Sequence, residues 1–307
     1  MHKMIELILI VIFAITGASN PILLASDGDK ARAQELLTQA RQALGGEAKL
    51  KAVQSLSCTG KFRRILAPNA PEMEGEFEME FLFPDKFKLT ENLTMMGGAA
   101  HITRIGGFNG NELLEDQSSS GSGVVVMRRP GSDDEKAKAQ RLRVMKNDYA
   151  RNLLAWLLTV PDAYQIEFTY AGEAEAPEGK ADVIEARGAD GFAARLFLDQ
   201  KTHQPLMLSY RGFAPKIMVR TESFQAGSQE EAHKRAKEIE KQADAAKATP
   251  EKPNEIEIQI FYTDYRAVDG IWLPHKITRA TNGAVSEETE IAKFKINPPL
   301  KAEKFKK

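Results

Sequence analysis

The chain has 307 residues, with 42 Lys and Arg against 43 Asp and Glu, a single cysteine and a hydrophobic share of 42%. A formal net charge of −1 gives no electrostatic case for nucleic acid or an anionic surface as partner. The lone Cys58 excludes an internal disulfide framework, and the length is enough to bury a full core.

Lys3, the apolar run from Leu7 to Thr16 and the small residues Gly17, Ala18, Ser19, Ala25 and Ser26 have the make-up of a secretory signal peptide over residues 1–26. Thr16, Gly17, Ser19, Asn20 and Pro21 break the run short of the roughly 18 apolar residues that a spanning helix needs. Residues 27–307 are therefore expected to work in the periplasm as a single domain. Cys58 is too far from this region to carry a lipid anchor there.

Asp27 or Asp29 can cap a first helix, in which Leu36, Leu37, Ala40 and Leu44 share one stripe and Gly45-Gly46 supplies the stop. The period then changes to two. Leu56, Cys58, Gly60 and Phe62 alternate with polar residues and predict a half-buried strand. The stretch EMEGEFEMEFLFP, Glu72 to Pro84, predicts a second strand with glutamates on one face and Met73, Phe77, Met79 and Phe81 on the other. Pro84-Asp85 turns it into a third strand, Lys86 to Met95, and Gly97-Gly98 and Asn109-Gly110 bracket a fourth, His101 to Phe108. Consecutive hairpins of this kind read as an antiparallel meander. Ser118 to Gly123 is expected to be a loop, followed by a strand-like Val124 to Arg129.

Ser132 and Glu135 form a capping-box pattern, and Leu142, Met145, Tyr149, Leu153 and Trp156 recur at spacings of three and four as far as Leu158. This predicts the main helix, with its apolar last turn buried against the sheet. Strands are expected again at Tyr164 to Tyr170, Ala181 to Arg187, through FAARLFLD and HQPLMLSYR, and at Lys216 to Phe224, Glu255 to Tyr265, Trp272 to Ala280 and Val285 to Lys295. Between about residues 228 and 254 the alternation gives way to mixed charges at helical spacing, as in Glu230/Lys234 and Glu231/Arg235. This predicts an exposed helical insertion.

Catalytic and metal signatures are missing from the sequence. His101, His203, His233 and His275 are scattered without ligand spacing, Cys58 has no neighbouring cysteine, and no carboxylate pair is arranged for acid and base work. Gly106-Gly107 and Asn109-Gly110 lie between strands, with no helix N-terminus to hold a phosphate. The reading is a non-enzymatic protein with no cofactor and no catalytic or metal residue. What stands out is apolar material: Phe62, Phe77, Met79, Phe81, Phe83, Phe87 and Leu89 on strands, and Tyr149, Leu153 and Trp156 on the main helix. The ordinary meaning of such alternation is core. The functional meaning is a cavity lining in which flexible methionine and flat aromatic rings repack around acyl chains. The glutamates of Glu72 to Glu80 would then form the solvated convex face.

FLDQKTHQPLMLSY (Phe197 to Tyr210), FYTDYRAVDGIWLPHKI (Phe261 to Ile277), the final strand into INPPL and ARQALGGEAKLKAVQSL (Ala40 to Leu56) resemble the lipoprotein-carrier superfamily, LolA/LolB-like. The resemblance implies a mainly β (α+β) fold, a strongly curved antiparallel sheet forming an unclosed barrel, with helices covering a concave apolar face that holds acyl chains. It implies lipid or lipoprotein acyl chains as partners of a monomeric envelope protein that carries or senses them. The cargo-handling arginine of such carriers matches no single arginine here, and Arg63, Arg64 and Arg104 are all available. A second implied role is periplasmic signalling or scaffolding, in which the same fold binds an envelope protein partner and Glu230 to Lys247 serve as a contact arm.

Overall fold

The computed structural model describes residues 26–65, 72–95, 100–121, 123–128, 135–176, 179–213, 218–223, 234 and 255–306. Residues 1–25 of the expected signal peptide, Ser132 of the expected capping box and nearly all of the charged insertion lie outside these residues.

Helix α1, Asp27–Ala43, starts one residue earlier than the aspartates suggested. Ser26 is its N-cap, accepting from the Asp29 N–H at 3.2 Å, and the Asp29 carboxylate accepts in return from the Ser26 N–H at 3.2 Å. Ala33, Leu36, Leu37 and Ala40 are its buried stripe. The chain leaves through Gly45 at φ 130, where a Cβ would lie 2.3 Å from the Gly270 carbonyl oxygen, so only glycine fits. A short α2, Glu47–Lys51, leads into the sheet.

The strands are β1 Ser55–Arg64, β2 Met73–Leu82, β3 Lys86–Met95, β4 Ala100–Asn109, β5 Glu112–Gly121, β6 Gly123–Arg128, β7 Glu167–Ala176, β8 Gly179–Arg187, β9 Ala193–Asp199, β10 Pro205–Phe213, β11 Met218–Ser223, β12 Glu255–Val268, β13 Ile271–Thr281 and β14 Ala284–Ile296. Twelve of them form one antiparallel sheet in the order β5-β4-β3-β2-β1-β14-β13-β12-β10-β9-β8-β7, while β6 and β11 pair separately. The sheet is two meanders joined where the first long strand meets the last, from Leu56 opposite Ile296 to Arg64 opposite Glu287. It ends at β5 and β7 without closing on itself. The expected fold class, a mainly β curved and unclosed antiparallel sheet with helices on one face, is the one observed. The main helix is α3, Glu135–Leu157. Side chains from both meanders, α1 and the C-terminal half of α3 share one core on the concave side.

Several expectations change. Ser118 to Gly121 are not a loop: they extend β5, pairing with Thr103 to Ala100, because main-chain ladder bonds do not require apolar side chains. Tyr164 does not open a strand. Asp162–Tyr164 form a 3-10 turn, Gln165 sits at φ 46, and β7 starts only at Glu167. The acidic face of β2 is only partly solvated. Glu74, Glu76 and Glu78 are exposed, but Glu80 is 4% exposed and accepts from Lys304 Nζ at 2.6 Å. That lysine belongs to a C-terminal 3-10 turn, Ala302–Phe305, which packs beside β3 and β4 with Phe305 fully buried.

Candidate functional site

The ten apolar side chains singled out from the sequence fall into a tight group and a few outliers. Successive residues of a strand alternate between faces. The pairings Leu56–Phe81, Cys58–Met79 and Gly60–Phe77 on β1/β2, and Met79–Leu89 and Phe81–Phe87 on β2/β3, therefore put these residues on the face turned to α3. The centre is Phe81. Its ring centroid lies 4.9 Å from Phe87, 5.8 Å from Tyr149 and 5.7 Å from Trp156. Tyr149, Leu153 and Trp156 come from one face of α3 and are all buried, and Met79 and Leu89 pack at the margin. Two aromatic rings missed in the sequence complete the cluster: Phe108 at 5.2 Å from Tyr149 and Phe294 at 5.6 Å from Trp156. Both share strand parity with the face already identified, but pairing β1 with β14 was needed to bring Phe294 there.

Phe62 and Phe83 lie apart from this centre. Phe83 is half-buried in the turn after β2, and Phe62 lies farther along β1 beside Arg64, whose guanidinium is 4.7 Å from its ring. Phe62 sits opposite Gly75 and Phe77 opposite Gly60. A Cβ at Gly75 would be 2.8 Å from the Phe62 ring and one at Gly60 2.9 Å from the Phe77 ring, so the glycines let each ring lie across the neighbouring strand.

Charge enters the same face at its far end. Glu91 has the parity of Phe87 and Leu89, and so it points inward and is only 7% exposed. Arg64 donates to Glu91 at 2.8 Å and to Glu287 on β14 at 2.5 Å, and Arg104 approaches the other Glu91 oxygen at 3.4 Å. Burial works against the charge on Arg64, but Glu287 and Glu91 more than offset it and raise its pKa. Of the three arginines the sequence left open, Arg64 and Arg104 face inward. Arg63 is on the other face with Glu72 and Glu288.

Across the sheet a second polar group lies under α3. The Tyr210 hydroxyl donates to Asp148 at 3.2 Å, Arg151 donates to Asp148 at 2.8 Å, and the Arg151 guanidinium stacks 3.6 Å from the Tyr210 ring centroid. Arg151 also donates to the Ala193 carbonyl at 3.2 Å, and the Tyr149 hydroxyl to that of Pro84 at 2.8 Å. Burial pushes the Tyr149 hydroxyl up, and likewise the Cys58 thiol, which makes the latter a packing group and not a nucleophile. His275 is buried with Nδ1 3.0 Å from the Leu273 carbonyl oxygen. Among the described residues no three His, Cys, Asp or Glu side chains are grouped to hold a metal ion.

The contact between α3 and the sheet is incompletely satisfied. Among the described residues, the side-chain polar atoms buried without a hydrogen-bond partner are Asn147 Oδ1 and Trp156 Nε1 on α3 and the Tyr262 hydroxyl on β12. Each such atom costs roughly 1–3 kcal/mol relative to a paired one.

No family model and no curated protein matches this chain. Solved structures similar to it include a LolA superfamily protein from Nitrosomonas europaea, at 10% identity and TM-score 0.43, covering 90% of this chain and 97% of that one. Another is a DUF1329 family protein from Desulfovibrio piger, at 10% identity and TM-score 0.44, covering 89% and 97%. Each is a likeness of architecture alone, and neither a family nor a residue role passes from them to this chain.

Proposed function

We propose that the protein binds lipid-like or lipid-linked molecules by their acyl chains on the concave face, without catalysis and outside the cytoplasm, with α3 moving aside to admit them. The observation that carries this reading is the position of the unpartnered buried atoms. The α3 side of the interface holds Asn147 and Trp156, so the seated helix carries a penalty that its release into water removes. What α3 covers is aromatic surface around Phe81, Phe87, Phe108 and Phe294, which a hydrocarbon chain can cover equally well. Each buried CH₂ contributes roughly 0.8 kcal/mol, so one long chain offsets the contacts that α3 gives up without any signature polar group.

Trp156 is 1% exposed at the centre of the cluster and Trp272, the other tryptophan, is 42% exposed. The variant Trp272→Phe therefore leaves Trp156 as a single reporter. Titration with a long-chain fatty acid should change its emission saturably, and native mass spectrometry should find the acid bound one to one. An emission spectrum unchanged at excess fatty acid, with no bound species, would end this reading.

A further inference from the structure

The second polar group has a composition that an acyl-binding face alone does not require. Arg279 on β13 lies opposite Ile260 on β12 and Glu287 on β14, so its side chain shares the concave face with Ile258, Ile260 and Tyr262. Tyr210 on β10 is opposite Ile258 and joins the same patch. Arg64 and Arg151 each have a carboxylate within 3 Å. Among the described residues, Arg279 has no carboxylate within ion-pair distance, and Glu287 beside it is already held by Arg64. Burial acts against its charge, yet the fields of Tyr210, Asp148 and Glu287 outweigh that and keep it a cation. Tyr262 is 2% exposed, its hydroxyl has no partner, and burial pushes its pKa up, so it stays a proton donor.

The only anion that α3 brings here is Asp148, which takes the Tyr210 hydroxyl and the Arg151 guanidinium. Both Asp148 and Arg151 leave with α3 when it moves. The sheet then retains one guanidinium and two hydroxyl donors, facing the space that a carboxylate had filled, beside an apolar face.

Resting on the acyl-binding reading, we infer that Arg279, Tyr210 and Tyr262 form an anion subsite for a phosphate or carboxylate group of the bound amphiphile, and that Asp148 occupies its place while α3 is seated. The subsite makes the ligand an anionic amphiphile and not a neutral one. Charge-assisted hydrogen bonds in a partly buried site are the strong ones, so the anion should add tenfold or more in affinity, on the order of a single such bond.

The test compares dodecyl phosphate, 1-dodecanol and inorganic phosphate on the full chain, its Tyr262→Phe variant and its Arg279→Gln variant, by calorimetry. The wild type should bind dodecyl phosphate at least about tenfold more tightly than dodecanol, and both variants should lose that preference while still binding dodecanol. Tyr262→Phe removes a hydroxyl without a partner, so its unfolding midpoint should stay level or rise, which separates loss of the subsite from loss of the fold. Binding of inorganic phosphate that Tyr262→Phe abolishes, with no uptake of either dodecyl compound, would support the anion subsite and end the acyl reading. Equal affinity for dodecyl phosphate and dodecanol in the wild type would overturn the subsite and leave the acyl reading standing. A preference that survives Tyr262→Phe and Arg279→Gln would overturn it as well.

Discussion

Helices α1 and α3 both cover the sheet, and they are seated by different means. Helix α1 lays Ala33, Leu36, Leu37 and Ala40 against the core, packs alongside β7, and begins in a reciprocal capping box. No buried polar side-chain atom of α1 lacks a partner among the described residues. Helix α3 sets Tyr149 and Trp156 among Phe81, Phe87, Phe108 and Phe294, and it leaves Trp156 Nε1 and Asn147 Oδ1 unpaired. A helix whose polar groups are all satisfied gains nothing by leaving. A helix held by apolar contact over unpaired atoms can be exchanged for another apolar body at small net cost.

Substitutions in the two helices and beneath them should separate the two modes of seating. The largest effect is expected from Leu37→Ala, which opens a cavity under α1 and should cost about 2–5 kcal/mol in urea unfolding while leaving fatty-acid affinity of the folded protein unchanged. Glu91→Gln leaves Arg64 and Arg104 short of a charge on the concave face and should cost roughly 3 kcal/mol, read in the same way, because breaking a buried ion pair exposes the desolvation of its partners. In a chain that retains Ser26, Ser26→Ala removes the α1 cap and should cost about 1 kcal/mol, again without change in ligand uptake. Trp156→Phe should be the mildest, about 1 kcal/mol, because the cavity it opens is offset by deleting an indole N–H that has no partner. A large loss of stability at Trp156 would place α3 in the same class as α1.

Much of the fold was legible because alternation and turn residues act locally. β2, Met73–Leu82, falls within the stretch Glu72 to Pro84 whose pattern of Glu against Met and Phe predicted it, and Gly45-Gly46 end α1. Phe81, Phe87, Tyr149 and Trp156 met as expected, since each sits on the apolar parity of its own element. The pairing of β1 with β14 was not legible, because contact between the two ends of a chain leaves no local periodic signal. Phe294 and Glu287 stayed hidden for that reason. Glu91 was within reach, two residues from Leu89 and so on the inner face. A charge on that parity goes unnoticed when alternation is scored only for apolar residues. The buried Glu80 depended on Lys304, 224 residues away.

Hydrogen exchange at the amides of the two helices tests the contrast most directly. Without ligand, Tyr149–Leu157 of α3 should exchange through a local opening well before Ala33–Ala40 of α1, which wait for global unfolding. Saturating fatty acid should change exchange in α3 and leave α1 untouched. If both helices exchange together at the global rate, with and without fatty acid, α3 is fixed core like α1 and does not move aside for a ligand.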